Sequence, residues 1–305
     1  MASTTANMDL TVLGSKVIGA LGKKIDELGA FTCSQDSGGS KGDSVKVFVY
    51  DKTDDADDFN ASSNNYETQD DDTTTGIDVT LSNDIKKTAF IAKDDISKTD
   101  ITLKLDGLAN SVANECVQRV YNIIDRTNFT ATEQVLGAAS TFTYDDTVDL
   151  EVVADDAGFK IDSRYMGLSN EYMANLKKDG VLVANQNYGG DVMGIYQRYQ
   201  QISNFSIAGS SILKLSDNYA ATEYLRGFIT DGSGIACAFG VPAEGYQMDD
   251  GVEVVRVVSP TGLVMDLRRH YSRATGGIYL NAEVLFGVSV ARVAGLVRLV
   301  SQTSS

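Results

Sequence analysis

The sequence contains no tryptophan, two prolines, three cysteines and a single histidine in 305 residues. The histidine count bears on chemistry first. General acid–base and nucleophile–base designs lean on histidine, and zinc sites need clustered histidine or cysteine. His270 stands alone beside Arg268 and Arg269, so we expect it to be structural and the chain not to be an enzyme. Cys33, Cys116 and Cys237 are odd in number, far apart and without a paired spacing, and read as reduced, mostly buried thiols in a cytoplasmic setting. No apolar run approaches the roughly 18 residues of a membrane span, and the small, polar residues 1–7 do not read as a signal peptide. Positive charge is scarce: 26 Lys and Arg against 42 Asp and Glu give a formal charge of −16. That balance keeps the chain soluble and argues against a general binder of nucleic acid or anionic membrane. The low proline and tryptophan counts have no functional reading.

What is present is enough for a sizeable core. A 43% hydrophobic content over 305 residues fits one large or two ordinary globular domains. The charge is uneven. From Arg256 onward there are six arginines (Arg256, Arg268, Arg269, Arg273, Arg292, Arg298) and two acids (Asp266, Glu283), about +4 by subtraction (6 − 2). Residues 51–75 are the opposite pole, with Asp51, Asp54, Asp55, Asp57, Asp58, Glu67, Asp70, Asp71 and Asp72 against Lys52 alone. An acidic projection and a basic end on one chain suit head-to-tail self-association.

The order of elements between residues 42 and 124 is the most informative pattern. Val45, Val47 and Val49 alternate with polar neighbours, as do Ile77, Val79 and Leu81 on the return, and Phe90 and Ile91 follow after a break. The acidic tongue between these strands has almost nothing apolar to bury. A lone hairpin is marginal in water, so this one is expected to lie on a neighbour, most naturally another copy of the chain. Leu105, Leu108, Val112, Cys116, Val120 and Ile123, widened by Ala109, Ala113, Val117 and Ile124, then form the stripe of a long helix over about residues 97–125, a spine about 40 Å long. Leu10, Leu13, Val17, Leu21, Ile25 and Leu28 mark an amphipathic N-terminal helix ended by Gly29, and residues 34–44 read as a flexible linker, so helix and linker together make an arm. Further on we expect helices over 145–157, with an acidic start at Thr147 and Asp149, and over 171–178, stopped by Gly180. Short strands are expected at 164–168, 202–215 and 224–239. Strands at 251–258, 262–269, 278–286 and 288–300 form a β-rich end.

At this point the order of parts resembles the major capsid protein of tailed bacteriophages, the Hong Kong 97 fold that encapsulins share. It looks closest to the branch typified by the Salmonella podovirus coat protein, without the inserted extra domain. The residues that carry the likeness are Gly42-Asp43-Ser44-Val45 opening the extended loop, Val79-Thr80-Leu81 closing it, and the Ala89 to Asp94 step before the spine. At the carboxyl end they are Arg256-Val257-Val258 with Gly262-Leu263, Arg269-His270-Tyr271, Leu285-Phe286-Gly287-Val288-Ser289-Val290, and a final apolar strand at 294–300. The tongue is longer and more acidic than the family pattern. Some relatives crosslink a loop lysine to a neighbour's asparagine, but nothing marks a partner for Lys52, so no crosslink is expected.

The resemblance implies an α+β Hong Kong 97-like capsid fold: an N-terminal arm (1–41), an extended loop (42–96), a peripheral domain with the spine helix (97–144 and 249–305) and an axial domain (145–248). It implies a viral major capsid protein that self-assembles into homo-hexamers and homo-pentamers, forming an icosahedral shell around double-stranded DNA. Scaffolding, portal and decoration proteins and non-specific DNA contacts are the implied partners, with no membrane, assembly in the host cytoplasm and a final place in the virion. The alternatives are an encapsulin-type compartment, or a secreted surface-layer or adhesin protein. We name no catalytic, cofactor-binding or metal-binding residue and no cofactor. Asp231-Gly232-Ser233-Gly234 lacks the spacing of a phosphate loop or nucleophile elbow and reads as a tight turn. The Asp51–Asp58 carboxylates lack the glycine and terminal glutamate of an EF-hand loop and read as a solvated or partner-facing segment.

Overall fold

The computed structural model describes residues 15, 18–19, 28–29, 32–36, 38–50, 74–92, 101–129, 132–179, 201–210, 224–242, 252–258 and 264–301. In chain order these hold β1 (Cys33–Asp36), β2 (Ser44–Tyr50), β3 (Thr74–Thr80), β4 (Asn83–Ala92), α1 (Ile101–Tyr121), β5 (Glu133–Leu136), α2 (Tyr144–Asp156), β6 (Tyr165–Ser169) and α3 (Asn170–Leu176). There follow β7 (Gln201–Ile202), β8 (Phe205–Ser210), β9 (Tyr224–Thr230), β10 (Ile235–Gly240), β11 (Val252–Val258), β12 (Val264–Ser272), β13 (Gly277–Val290) and β14 (Leu296–Ser301). The tongue beyond β2 and β3 lies outside the described residues.

The first sheet is built on β13, whose 14 residues pair with β12 and β10 along one edge and with β4 along the other. β11 extends the sheet beyond β12, and β1 extends it beyond β10. Alternation along β13 sends Ile278, Leu280, Ala282, Val284 and Phe286 into the main core under α1. Leu285 points the other way and joins Val47, Val79, Leu81, Ala236 and Ala238 in a separate cluster under the β2–β3 hairpin.

α1 covers the sheet with the stripe expected of it: Leu108, Ala109, Val112, Ala113, Cys116, Val117, Val120 and Ile124 are buried, and Tyr121 joins them. The helix ends at Tyr121, before the expected end near residue 125, and its described part is 21 residues, about 32 Å long. It stops because local polar groups offer the backbone other partners. Asp125 accepts the Asn128 N–H at 2.8 Å, and the Asn128 side-chain amide donates to the Ile123 carbonyl at 3.0 Å. Residues 97–100, the expected start, lie outside the described set.

The second sheet runs β5-β14-β9-β6-β8-β7. One face buries Met166, Leu168, Ile207, Ile229, Val297 and Leu299 against α2 and α3. The other sends Tyr165, Leu225, Phe228 and Leu296 into the main core, so the two sheets share it. Arg298 is fully buried there, 3.0 Å from Glu133 on the neighbouring strand. α2 spans Tyr144–Asp156, within a residue of the expected 145–157; the Asp146 carboxylate caps it by accepting the Thr143 N–H at 2.6 Å, and Thr147 is buried, donating to the Tyr144 carbonyl at 2.6 Å. α3 ends at Leu176, before Gly180.

Several expectations change. The linker is not uniformly irregular: β1 pairs in parallel with β10, from Cys33 with Ala236 to Asp36 with Phe239. Ile18 and Leu28 are helical and buried in the main core, and Gly29, expected to stop the helix, is itself helical. The expected strands at 278–286 and 288–300 divide elsewhere: β13 runs through Gly287 to Val290, and β14 restarts at Leu296 in the other sheet. Asp231–Gly234 is the expected tight turn, with Gly232 at φ 87° and the Asp231 carboxylate accepting the Ser233 N–H at 2.8 Å.

The three cysteines, distant in sequence, converge. Cys33 and Cys237 lie on adjacent strands β1 and β10, while Cys116 on α1 shares the main core with Cys237. Burial pushes the Cys116 and Cys237 thiols up to about 12 and raises Cys33 as well, with Asp231 adding to the latter. At mildly alkaline pH these two buried thiols therefore hold almost no thiolate. Titration of the native protein with a chromogenic disulfide reagent is expected to leave both unreacted, whereas all three react once denaturant is added.

Candidate assembly surfaces

The hairpin of β2 and β3 pairs from Ser44 with Thr80 to Tyr50 with Thr74. Its inner face is strongly apolar, with Val47, Val49 and Val79 buried. This corrects the expectation that the hairpin needs a second copy to lie on: its root lies on its own first sheet. The close approach is permitted by glycine. A side-chain carbon on Gly287 of β13 would stand 2.3 Å from the Thr80 carbonyl oxygen, and one on Gly240 of β10 would stand 2.6 Å from Leu81. Leu81 closes the root by accepting the Gly42 N–H at 3.0 Å and donating its own to Asp43 at 2.9 Å. Lys41 reaches Asp84 at 3.2 Å across the same root.

The hairpin's outer face is different. Phe48 is 62% exposed, lying over Gly76 on β3, and Lys46 stands opposite Asp78. The hairpin therefore presents an aromatic side chain on its outer face.

The face of the first sheet away from α1 carries most of the charge. Across it run Val252, His270, Tyr279 and Phe90 in one row, then Val254, Arg268, Asn281 and Thr88, then Arg256, Asp266, Glu283 and Lys86. His270 stacks on Tyr279 at 5.0 Å and 12°, and Phe90 meets the other side of the row at 4.9 Å, the structural role expected of the histidine. Arg256 holds Asp266 through two hydrogen bonds of 2.8 and 3.0 Å. Arg268 holds Glu283 at 2.9 Å and lies 3.9 Å from Asp266. A cleft of about 440 Å³ opens over this face, lined by Asp84, Lys86, Val252, Arg268, His270, Asn281 and Glu283.

These contacts revise the reading of a basic carboxyl end. Five of its six arginines face carboxylates of the same chain: Arg256, Arg268, Arg269 with Glu253, Arg292 with Asp231, and Arg298. Their charge is spent on structure, and Arg273 is the exposed member. The partners escaped sequence reading because they come from other strands. Gly287 carried a signal, an isolated glycine inside a strand pattern, which marks a close backbone approach.

Among the described residues no group of three or more His, Cys, Asp and Glu could hold a metal ion, and no helix is long and apolar enough to cross a membrane. The Asp51–Asp58 carboxylates lie outside the described residues.

No family model matches the chain, and no curated protein matches it. Solved structures do. The capsid of the cyanophage P-SCSP1u superposes with a TM-score of 0.55 at 13% identity, over 90% of this chain and 88% of that one. The capsid of Ralstonia phage GP4 gives 0.53 at 8% identity, over 90% and 88%. A virus-like particle from Pyrococcus furiosus gives 0.51 at 9% identity, over 94% and 98%. The fold is thus the α+β Hong Kong 97-like capsid fold. The likeness reaches across phages and an archaeal particle, so it supports that fold and no particular branch, the Salmonella podovirus branch included.

Replacing Gly287 by alanine is expected to force the hairpin root off the sheet, because the contact is with backbone, and to cost about 1–3 kcal/mol, read by denaturant unfolding. Glu283 gives a pH test. Burial raises its carboxyl above the ordinary value, Arg268 pulls it down, and Asp84 and Asp266 push it up again. The folded chain thus binds this proton more tightly than the unfolded chain. The group's penalty is present above its folded pKa and is relieved as pH falls through it. Glu283→Gln removes the penalty, so its melting temperature relative to the parent is expected to be highest near neutrality and to fall as the solution is acidified. A difference independent of pH would show that Glu283 is held in its ordinary range.

Proposed function

We propose that this chain is a viral major capsid protein: a structural subunit that assembles as homo-hexamers and homo-pentamers into an icosahedral shell around double-stranded DNA. The observation that carries the reading is the hairpin. Its root is seated on its own sheet through Val47, Val79 and Leu81, while Phe48 stands exposed on the outer face. A ribbon anchored in one subunit and displaying an aromatic side chain is suited to gripping a neighbour, and many modest contacts of that kind multiply in a closed symmetric lattice. The Hong Kong 97-like fold supports the same reading.

In this proposal the second sheet with α2 and α3 is the axial domain, and the first sheet with α1 is the peripheral one. The expected boundaries at 145 and 248 then shift at three strands: β10 goes with the peripheral sheet, and β5 and β14 with the axial sheet. Scaffolding, portal and decoration proteins are the partners that such a shell would take, with assembly in the host cytoplasm and a final place in the virion. Contact with DNA would be non-specific and would not rest on the paired arginines of β11, β12 and β14. The second reading is an encapsulin-type compartment, a shell that encloses protein rather than DNA.

Negative-stain microscopy of the purified protein tests the proposal, and hollow closed shells are expected. Nuclease-protected DNA inside them separates a capsid from a compartment that encloses protein. Sedimentation as a compact monomer at every concentration and salt would overturn both readings. Replacing residues 51–73 by a short Gly-Asn turn is expected to leave a folded chain, by circular dichroism, because the hairpin root and its cluster remain. Assembly should be weakened or lost; intact shells of unchanged stability would make the tongue a dispensable surface loop.

A further inference from the structure

We propose that β11 pairs antiparallel with β11 of a second copy about a two-fold axis, joining two first sheets into one continuous sheet. The proposal deepens the shell-subunit reading by naming one contact between copies, and it rests on that reading for its place in a larger assembly.

β11 is the strand Val252–Val258, five of whose seven residues are valine. It pairs with β12 along one edge and, among the described residues, with no strand along the other. None of its seven residues is buried, and Val258 is 59% exposed. Three of the usual protections of an open edge are missing, for there is no proline, no lysine and no bulge within it, and its two charges, Glu253 and Arg256, are each paired to β12. A strand rich in β-branched residues with an unpaired row of N–H and C=O groups is a template for another strand.

Geometry and charge then choose the occupant and the register. A two-fold axis normal to the sheet keeps the same face upward in both copies, so only registers in which a residue meets one of the same parity are allowed. Centring on Val255 pairs all seven residues: Val252 with Val258, Glu253 with Val257, Val254 with Arg256, and Val255 with itself. Centring on Arg256 would set guanidinium against guanidinium, and centring on Val254 would leave Val257 and Val258 unpaired. In the favoured register no like charges stand opposite one another. The strand's two charges bring their own partners, since Arg256 is held by Asp266 and Glu253 by Arg269. The face toward the main core gains as well. Val255 and Val257 already pack against that core while half-exposed at its rim, and the joined sheet would close the rim over them.

The test is a cysteine pair. In the favoured register residue 252 of one copy faces residue 258 of the other at about 4.5–5.5 Å between α-carbons, within disulfide reach. Within one strand the same two residues are roughly 20 Å apart and cannot bridge. The full-length double variant Val252→Cys/Val258→Cys is expected to give a covalent dimer under mild oxidation, lost on reduction, while each single variant gives none. Equal crosslinking of the single variants, or no dimer from a folded double variant, would overturn the pairing. Should the double variant fail to fold, hydrogen exchange of the parent protein decides. The β11 amides not bonded to β12 are expected to be protected in concentrated or assembled protein and to exchange fast in dilute monomer, and equal exchange in both states overturns the proposal. Shells seen by microscopy without the crosslink would sink the pairing and leave the shell reading standing; crosslinked dimers that never form shells would do the reverse.

Discussion

The structure depends on one strand being buried on both faces. β13 carries the main core on one side through Ile278, Leu280, Ala282, Val284 and Phe286, and the hairpin root on the other through Leu285 and Gly287. Its length lets β12 and β10 follow one another along a single edge while β4 holds the opposite edge. A slip of one residue would turn every side chain to the wrong face, so the pairing of β13 also sets the position of α1 beneath it and of the ribbon above it. Gly287 makes the second of these possible. The backbone of Thr80 lies where a side chain would be, so the ribbon is seated by the absence of a single carbon.

Charge follows the same geometry. Where β13 leaves the cover of the hairpin, its outward residues become Glu283, Asn281 and Tyr279, and the neighbouring strands answer with Arg268, Arg256 and the His270 ring. Buried ionic groups are costly unless paired, and here each arginine is matched by a carboxylate one strand away or, for Arg298, by Glu133 on a parallel neighbour. The acid in excess is what remains: burial raises the Glu283 carboxyl above its ordinary value, and the neighbouring Asp84 and Asp266 add to the rise. A chain with a formal charge of −16 thus uses most of the cations of its last fifty residues internally. Exposed apolar groups remain at Phe48 on the ribbon and Val258 on the edge of β11.

Local pattern carried much of the fold. Period-two alternation placed β2 and β3, and the three-and-four spacing from Leu108 to Ile124 placed α1 and the face it buries, because side-chain period and buried face are the same physical fact. Element ends were read less well. α1 ends early through side chains of Asp125 and Asn128 that compete for its backbone, whereas α2 lies within a residue of its expected span. β1 was read as linker because four residues flanked by serine and glycine hold no periodicity; it is a strand because β10 offers it an edge.

By itself the sequence determined most of the strands and helices, the apolar faces of β2, β3 and α1, and that a single histidine leaves nothing for chemistry needing several. Tertiary structure decided which elements meet. It sent β14 to the second sheet and β10 to the first, brought Cys33, Cys116 and Cys237 from three distant segments to one place, seated the hairpin root on its own chain rather than another, and turned a basic segment into ion pairs. The reason is that periodicity records whether a side chain is buried, not what buries it. Partners in a sheet of this kind come from segments up to some two hundred residues apart, as Glu133 and Arg298 or Cys33 and Cys237 do, and only closure of the whole core selects them.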